Sequence, residues 1–570
     1  MLNLIDKIIF FGYLFALGIA AFIVGRRQKN AADYYVGSRK ISFLFISISI
    51  LATQTSVNSI LGIPSYVKKH SIAWLMYEMA LPLSVIVGCW LLIPVFRNLN
   101  VTSIYSYIEV RFSAKAKLLM SGIFLISRSV ATGCGTYAAA EVISIITEFS
   151  IPVSIIILGC STITLDLIGG MAFLVKSDTL QMIVLIAGVV ICGVHGVSMT
   201  PGGLSGTFKE FPKEKLHALD FGSGFGTSDG FHFWSMLFGC FILYISYYTC
   251  DQSQTQRMLS SKSTSDSRKS LFINGFVRFI MTAGYCFLGV IMYGVYVTNE
   301  KFKDLVDNSD MQDGIVPIFI NNFIATGQRG IILAGMVAAS LTSLDAALQA
   351  VSACTMTDFF GIQDETAKIE AEINDNDITQ PLNAASDDKL NDHEIGESDE
   401  SARKGKRNLL LSRLCTLTWG IIICCFALLF QHSAQTVVEG VNAVGSVFYG
   451  IVLSPFLLGI LFQFVEATGV IWGITIGTIL NCCIALLPMF VDFFSFLKMD
   501  WAWWNVTGFV FTSVVTLIVS SMCPQKKNIE SYTIKNEKLM EPSSKWNIAY
   551  GTLFLYFCFI LFILFRLTAI

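Results

Sequence analysis

Long apolar stretches recur along this chain, separated by short polar joints, and each is long enough to form a membrane-crossing helix. Such a helix needs roughly 20 mostly apolar residues, because it must bridge the hydrocarbon while pairing its own backbone groups. About fourteen stretches qualify. They lie near 7–26, 42–63, 72–95, 116–148, 151–169, 171–198, 232–250, 269–297, 328–360, 408–430, 435–463, 467–491, 501–522 and 546–568. The basic cluster Arg26, Arg27 and Lys29 follows the first stretch instead of preceding it, which predicts a retained span and not a cleaved leader.

Composition agrees with the pattern. Of 570 residues, 54% are hydrophobic and 14% charged, whereas soluble domains carry roughly 25% charged residues. A formal net charge of -2 points to no polyanionic partner, so nucleic acid is not expected. The 15 cysteines lack the paired spacings of a disulfide framework or zinc site and are expected to be small core residues. With the N-terminus outside, about 26 of the 39 Lys and Arg fall in cytoplasmic segments and about 11 outside, the sign of the positive-inside bias. An even number of spans then leaves the C-terminus outside too. The segment 362–407 is rich in Asp, Glu, Asn and Ser and cannot bury an apolar core, so a disordered cytoplasmic loop is expected there, with a regulatory partner as a further option. The loop 201–231 is Gly-rich and expected to be extracellular.

Polar residues at membrane depth carry the chemistry. Ala52, Thr53, Gln54, Thr55 and Ser56 interrupt the second span, with Ser59, Gly62 and Pro64 after them. Polar groups and helix breakers are tolerated in lipid only where they face protein or an aqueous cavity, so this is the pattern of a broken helix whose freed carbonyls can hold an ion. Hydroxyls bonded back to their own helix are the bland alternative. A second cluster, Ala339, Ser340, Leu341, Thr342 and Ser343 followed by Asp345, offers oxygens of the kind a hard cation prefers. Asp178 adds a carboxylate near the start of another span. Glu78, Arg128 and Arg278 are also intramembrane. An unpaired guanidinium there is costly, so Arg128 needs either a salt bridge, with Glu78 or Glu141, or a solute carboxylate suited to its planar fork. Arg278 is expected to snorkel toward the cytoplasmic end. No P-loop, zinc motif or nucleophile elbow is present, and His70 and His195 lack metal-ligand spacing, so an enzyme is not expected.

Gly169, Gly170, Ala172, Asp178 and Gln181 form the pattern GG-x-A-x5-D-x2-Q, and Asp251, Gln252, Gln256 and Arg257, the helix from Ala339 to Asp358, and Gly445 through Pro455, Gly459 and Gly469 accompany it. In these the chain resembles the solute:sodium symporters, whose members move sugars, proline, iodide, monocarboxylates, vitamins and sialic acid. The resemblance implies an all-α protein of the leucine-transporter fold with two inverted five-helix repeats. Residues 1–30 would be an extra N-terminal helix, 40–200 the first repeat and 232–463 the second, interrupted by the loop 362–407, and 464–570 would add C-terminal helices. The family's principal sodium site falls on Ala52, Thr55, Ala339, Thr342 and Ser343, Thr for Ser at 342 keeping the oxygen. A second cation site draws on Asp178, Thr342 and Asp345. There the family's hydroxyl positions fall on Asp345 and Ala346, one gaining a carboxylate and one losing its hydroxyl.

For solute, the resemblance puts Glu78 and Arg278 where sugar-transporting members use Glu and Lys, and Tyr247 at their inner gate. Ser59 replaces a Gln and Tyr244 an Asn, while Asn442 aligns with a Gln, and Gln54 lies in the broken stretch beside them. Arg128 looks like the arginine that sialic-acid-transporting members aim at a carboxylate. The expectation is a multi-pass plasma-membrane symporter that uses Na+ to import a small, carboxylate-bearing solute by alternating access. Proton coupling, a sugar or neutral solute, and a non-transporting solute sensor stay open as alternatives.

Overall fold

The computed structural model describes residues 3–99, 101–222, 231–309, 313–362, 391–430, 437–523, 533–534 and 544–569. These residues are almost entirely helical, and an isolated bridge between Ile41 and Ser261 is the one extended pairing among them. In chain order the elements used below are α1 (Leu4–Gly25), α2 (Phe43–Gln54), α3 (Val57–Lys69), α4 (Leu81–Val87), α5 (Ala114–Thr147), α6 (Ile151–Met199) and α7 (Cys240–Thr249). There follow α8 (Gln252–Leu259), α9 (Thr264–Thr298), α10 (Gln328–Cys354), α11 (Asn391–Phe430), α12 (Val437–Leu461), α13 (Ala467–Phe490), α14 (Trp503–Ser521) and α15 (Ser544–Thr568).

Among the described residues, eleven helices are long and apolar enough to cross a membrane, or twelve if the bent pair α2 and α3 is one span. Fourteen were expected, and two features account for the difference. First, α6 runs for 49 residues, which as one straight rod would be about 74 Å long against roughly 30 Å of hydrocarbon. At Gly170 its backbone turns to φ 57°, ψ −175°, a combination essentially confined to glycine. The Gln28 amide fills the break, donating to Gly169 O at 2.5 Å, and a Cβ on Gly170 would lie 2.6 Å from that same nitrogen. The twin glycines of the sequence pattern therefore divide one apolar run into the two stretches read from the sequence. Second, the stretch expected at 232–250 is the shorter apolar helix Ser235–Thr249.

Residues 363–390 of the acidic loop lie outside the described residues; from Asn391 the chain is already helical and continues unbroken to Phe430, so the helix starts ahead of the boundary expected at 408. The 201–231 connection holds the short helix Gly203–Glu210 and one further turn, with 223–230 outside the described residues. The buried centre of the bundle is α10, which packs on α6, α5 and α2, while α9 packs on both halves of the broken pair. Nearly every residue of α10 from Ile332 to Cys354 is buried, as a helix apolar on all sides must be. α1 is fastened to this centre by Asp6, whose Oδ1 accepts the Gly327 and Gly330 amides at 2.7 and 2.9 Å at the N-terminal end of α10. A carboxylate there meets unpaired N–H groups and the positive end of the helix dipole.

Candidate ion and solute site

The broken helix supplies the first half of the site. Thr55 (φ −89°, ψ 84°) ends α2, Ser56 is extended, and the axes of the two halves bend by 51°. In a continuous helix the Ala52 and Thr53 carbonyls would accept from the amides four residues on. Here the break diverts those amides, and α10 offers hydroxyls instead. Thr342 Oγ1 lies 3.2 Å from Ala52 O and 3.0 Å from Ala339 O, and Ser343 Oγ lies 3.0 Å from Thr53 O and 3.2 Å from Ala339 O. Five oxygens thus converge on two hydroxyl protons, an arrangement rich in lone pairs and poor in donors. Ala52, Thr53, Ala339 and Thr342 are buried. The grouping includes Thr53, which the set implied by the resemblance does not. Thr53 provides the second carbonyl that meets α10, whereas the Thr55 hydroxyl donates to Leu51 O at 2.9 Å and faces Arg278 Nη1 at 3.5 Å.

Beside this junction lies a cavity of about 180 Å³, room for roughly a dozen water-sized positions. Its wall includes Gln54, Ser59, Arg128, Tyr244, Tyr247, Arg278 and Asn442, so seven of the eight residues expected to meet solute come together, along with Ser343, Trp74, Tyr77 and Tyr449. Gln54 accepts from the Tyr248 hydroxyl at 2.8 Å, while its Nε2 is buried without a partner. Tyr247 accepts from Gln254 Nε2 at 2.8 Å.

Glu78 lies behind the wall. Its carboxylate takes Arg278 Nε at 2.9 Å, Thr282 Oγ1 at 2.9 Å and Tyr244 OH at 2.7 Å, and it is fully buried. Arg278 is therefore a buried ion-pair partner, and the expectation that it snorkels is corrected: its guanidinium is held inside the protein by the carboxylate opposite. Removing one member of a buried pair typically costs about 3–5 kcal/mol because the other charge is stranded. Glu78→Ala is accordingly expected to lower the thermal midpoint of the detergent-solubilised protein markedly, with Glu78→Gln intermediate, as scanning fluorimetry would register.

Arg128 pairs with neither Glu78 nor Glu141. Its Nη1 lies 3.3 Å from Asp251 Oδ2, its guanidinium sits 5.8 Å from the centre of the Tyr247 ring, and its Nε is buried with no partner. The correction follows from Glu78 being saturated by three other donors. The two arginines thus differ in kind. Arg278 is engaged by a short charge-assisted bond, whereas Arg128 meets its carboxylate at a distance longer than the 2.7–2.9 Å usual for such pairs and is otherwise flanked by Tyr247 and Tyr449.

At the place read as a second cation site, Asp178 and Asp345 already share a guanidinium. Arg257 Nη2 lies 3.5 Å from Asp178 Oδ2 and 3.4 Å from Asp345 Oδ1, Arg257 Nε donates to Ser49 Oγ at 2.7 Å, and Ser49 in turn donates to Asp178. Thr342 turns its hydroxyl to the carbonyls of Ala52 and Ala339 instead. Among the described residues, no group of three or more His, Cys, Asp or Glu side chains is disposed to hold a metal ion.

Sequence reasoning passed over Arg257 and Asp251 as site residues, although both stand in the quoted run. The signal was its polarity: Asp251–Met258 is hydrophilic yet buried throughout. Its side chains tie the molecule together. Gln252 reaches Thr102 O at 2.7 Å, Gln256 reaches Tyr35 O at 2.7 Å, and Asp251 caps α8 through the Ser253 amide at 2.8 Å.

Comparison with known proteins bears on this arrangement. The chain is 23% identical to the human sodium/iodide cotransporter over 461 residues, covering 80% of this chain and 66% of that protein. It is 25% identical to the mouse sodium-coupled monocarboxylate transporter 2 over 359 residues, covering 62% of this chain and 57% of that protein. The matches thus span less than two thirds of these relatives' lengths. Among solved structures, a substrate-bound, outward-open Na+-coupled sialic acid symporter superposes with a TM-score of 0.75 at 19% identity, over 92% of this chain and all of that one, so the two share a fold. The model of the sodium:solute symporter family matches residues 34–375, more than half of the sequence, and the chain belongs to that family.

Proposed function

We propose that this protein is a sodium-coupled symporter that imports a small, carboxylate-bearing organic solute across the plasma membrane by alternating access. The observation that carries this is the meeting of Ala52 and Thr53 carbonyls with Thr342 and Ser343 hydroxyls beside a cavity that Thr53, Ser343 and Arg128 line. Oxygens shared octahedrally by a cation at roughly 2.4 Å stand about 3.4 Å apart. The present separations of 3.0–3.2 Å therefore need only a slight spreading to admit Na+. The ion would fasten α2 to α10 and fix the break, which shapes the cavity floor through Gln54 and Ser59. Arg128, with donors to spare, then receives the carboxylate. Sodium release inward is favoured by the membrane potential, about 2.3 kcal/mol per charge per 100 mV.

Relatives whose names specify monocarboxylate and sialic acid transport support the anionic class. Iodide, named for another relative, is an anion too, but it has no planar fork for a guanidinium to match. A second cation at Asp178 and Asp345 would have to compete with Arg257, which favours one sodium per cycle through the site on α2 and α10. The leucine-transporter repeats at 40–200 and 232–463, the extracellular termini and a cytoplasmic partner for 362–407 belong to the same proposal.

Reconstituted protein should accumulate pyruvate or sialic acid when sodium is imposed outside, and should leave proline and glucose behind. Accumulation that follows a pH step and ignores sodium would replace sodium by proton coupling. Binding of solute without accumulation under either gradient would make the protein a sensor.

A further inference from the structure

Arg128 stands between two cavities. It lines the central one, and with Ser127, Ser246, Cys250 and Asp251 it lines a smaller one of about 20 Å³ at the C-terminal end of α7, opposite the end that follows the 201–231 connection read as extracellular. Arg128, Ala131 and Tyr449 line both. Tyr247 and Tyr449 pack edge to face with centroids 5.8 Å apart, and the Arg128 guanidinium lies over the Tyr247 ring and reaches down to Asp251. Asp251 spends Oδ1 on the Ser253 amide and hydroxyl, at 2.8 and 2.6 Å, which leaves Oδ2 for Arg128. The pair therefore fastens α5 to the joint between α7 and α8.

We propose that the Arg128–Asp251 ion pair is the inner closure of the solute path, and that a solute carboxylate opens it by drawing Arg128 away from Asp251. This rests on the carboxylate reading above. A carboxylate in the central cavity can take two guanidinium donors side by side, including the unpartnered Nε, whereas Asp251 holds one donor at 3.3 Å. Two carboxylates on one guanidinium also repel each other, so the better-bonded one displaces the other. Once Asp251 is released, the edge-to-face rings of Tyr247 and Tyr449 are left beside the opening. Selection for anions is then exerted at opening as well as at binding, because a neutral solute of the same shape leaves the closure fastened.

Cys250, buried and on the wall of the smaller cavity, is a native reporter. Its alkylation by a small maleimide, quantified on its own peptide by mass spectrometry in full-length protein in nanodiscs with sodium, should be slow without solute. Pyruvate or sialic acid should accelerate it about tenfold, a factor that needs only a modest change in the balance between the two states. Asp251→Asn keeps the capping oxygen and loses the charge, so it should label fast with or without solute. Asp251→Glu should restore slow, solute-responsive labelling, a rescue that loss of helix capping alone would not predict. Arg128→Gln should be fast and unresponsive. Unaltered slow labelling in Asp251→Asn would overturn the closure. Wild-type labelling indifferent to a carboxylate that the same preparation accumulates would overturn the exchange while leaving the carboxylate reading intact. If no carboxylate is accumulated at all, that reading fails and the exchange falls with it.

Discussion

Replacing Ser343 by alanine is expected to raise the external sodium concentration for half-maximal uptake about tenfold, with little change in the maximal rate. The hydroxyl removed is one of five converging oxygens, and it is the one that meets Thr53 O. A neutral group that serves a charge is worth roughly 1.5–3 kcal/mol, and 1.4 kcal/mol is a factor of ten in affinity. Part of that loss is recovered where water or a shift of α2 replaces the missing ligand, hence a value toward the lower end. Ser340→Ala is the matched control. Ser340 lies one turn earlier on the same helix and also lines the cavity, but its hydroxyl donates back to Met336 O at 3.1 Å. Both substitutions change the helix equally, so a common effect would reflect the helix and a divergent one the ion. Equal sodium dependence in Ser343→Ala and wild type would remove Ser343 from the proposed site.

Whether the two hydroxyl-rich clusters meet could be anticipated because lipid makes polar groups expensive. A run such as Thr53 to Ser56 inside an apolar stretch must face something other than lipid, and few partners exist at that depth. Which carbonyl meets which hydroxyl was not legible. It depends on where the helix lets go: with the break at Thr55 and Ser56, Ala52 O accepts the Thr55 amide at 3.0 Å and also faces Thr342, while Thr53 O faces Ser343. Thr53, absent from the set implied by the resemblance, is thereby brought to α10.

The intramembrane charges show a second limit. Their need for partners follows from burial alone, but the choice of partner is a matter of folding. Glu78 and Arg278 are 200 residues apart and Arg128 and Asp251 are 123 apart, and no local pattern links either pair. Asp251 was visible only as a motif residue, because a carboxylate just after an apolar stretch looks like a membrane-edge charge. The helix boundary that matters there is set by Asp251 itself, which caps α8 and so remains inside the protein. Gly170 is the converse case, a local signal with a local consequence: one residue in a backbone conformation closed to others divides α6.

Arg128→Gln is the second substitution with a large expected effect. Measured as the ratio of uptake efficiency for a carboxylate over its own amide, selectivity should fall roughly a hundredfold and approach unity, since losing one member of a desolvated, hydrogen-bonded charge pair costs about 2–5 kcal/mol. The ratio is the proper readout. Freeing Asp251 opens the closure for both solutes, which helps the amide more and moves the ratio in the same direction, while a loss of folded protein affects both alike and cancels. Glutamine keeps two N–H donors on a shorter, neutral side chain, so the amide still finds a donor in the cavity and should be carried at least as well as by wild type once expression is normalised. Arg278 gives the contrast within the same cavity, because its charge is already committed to Glu78: Arg278→Gln should depress uptake of both solutes through stability and leave the ratio near its wild-type value. If the two arginine variants instead lower the ratio equally, the carboxylate is not read by Arg128 alone, and the under-used donors at Nε would have to be explained as a defect of packing.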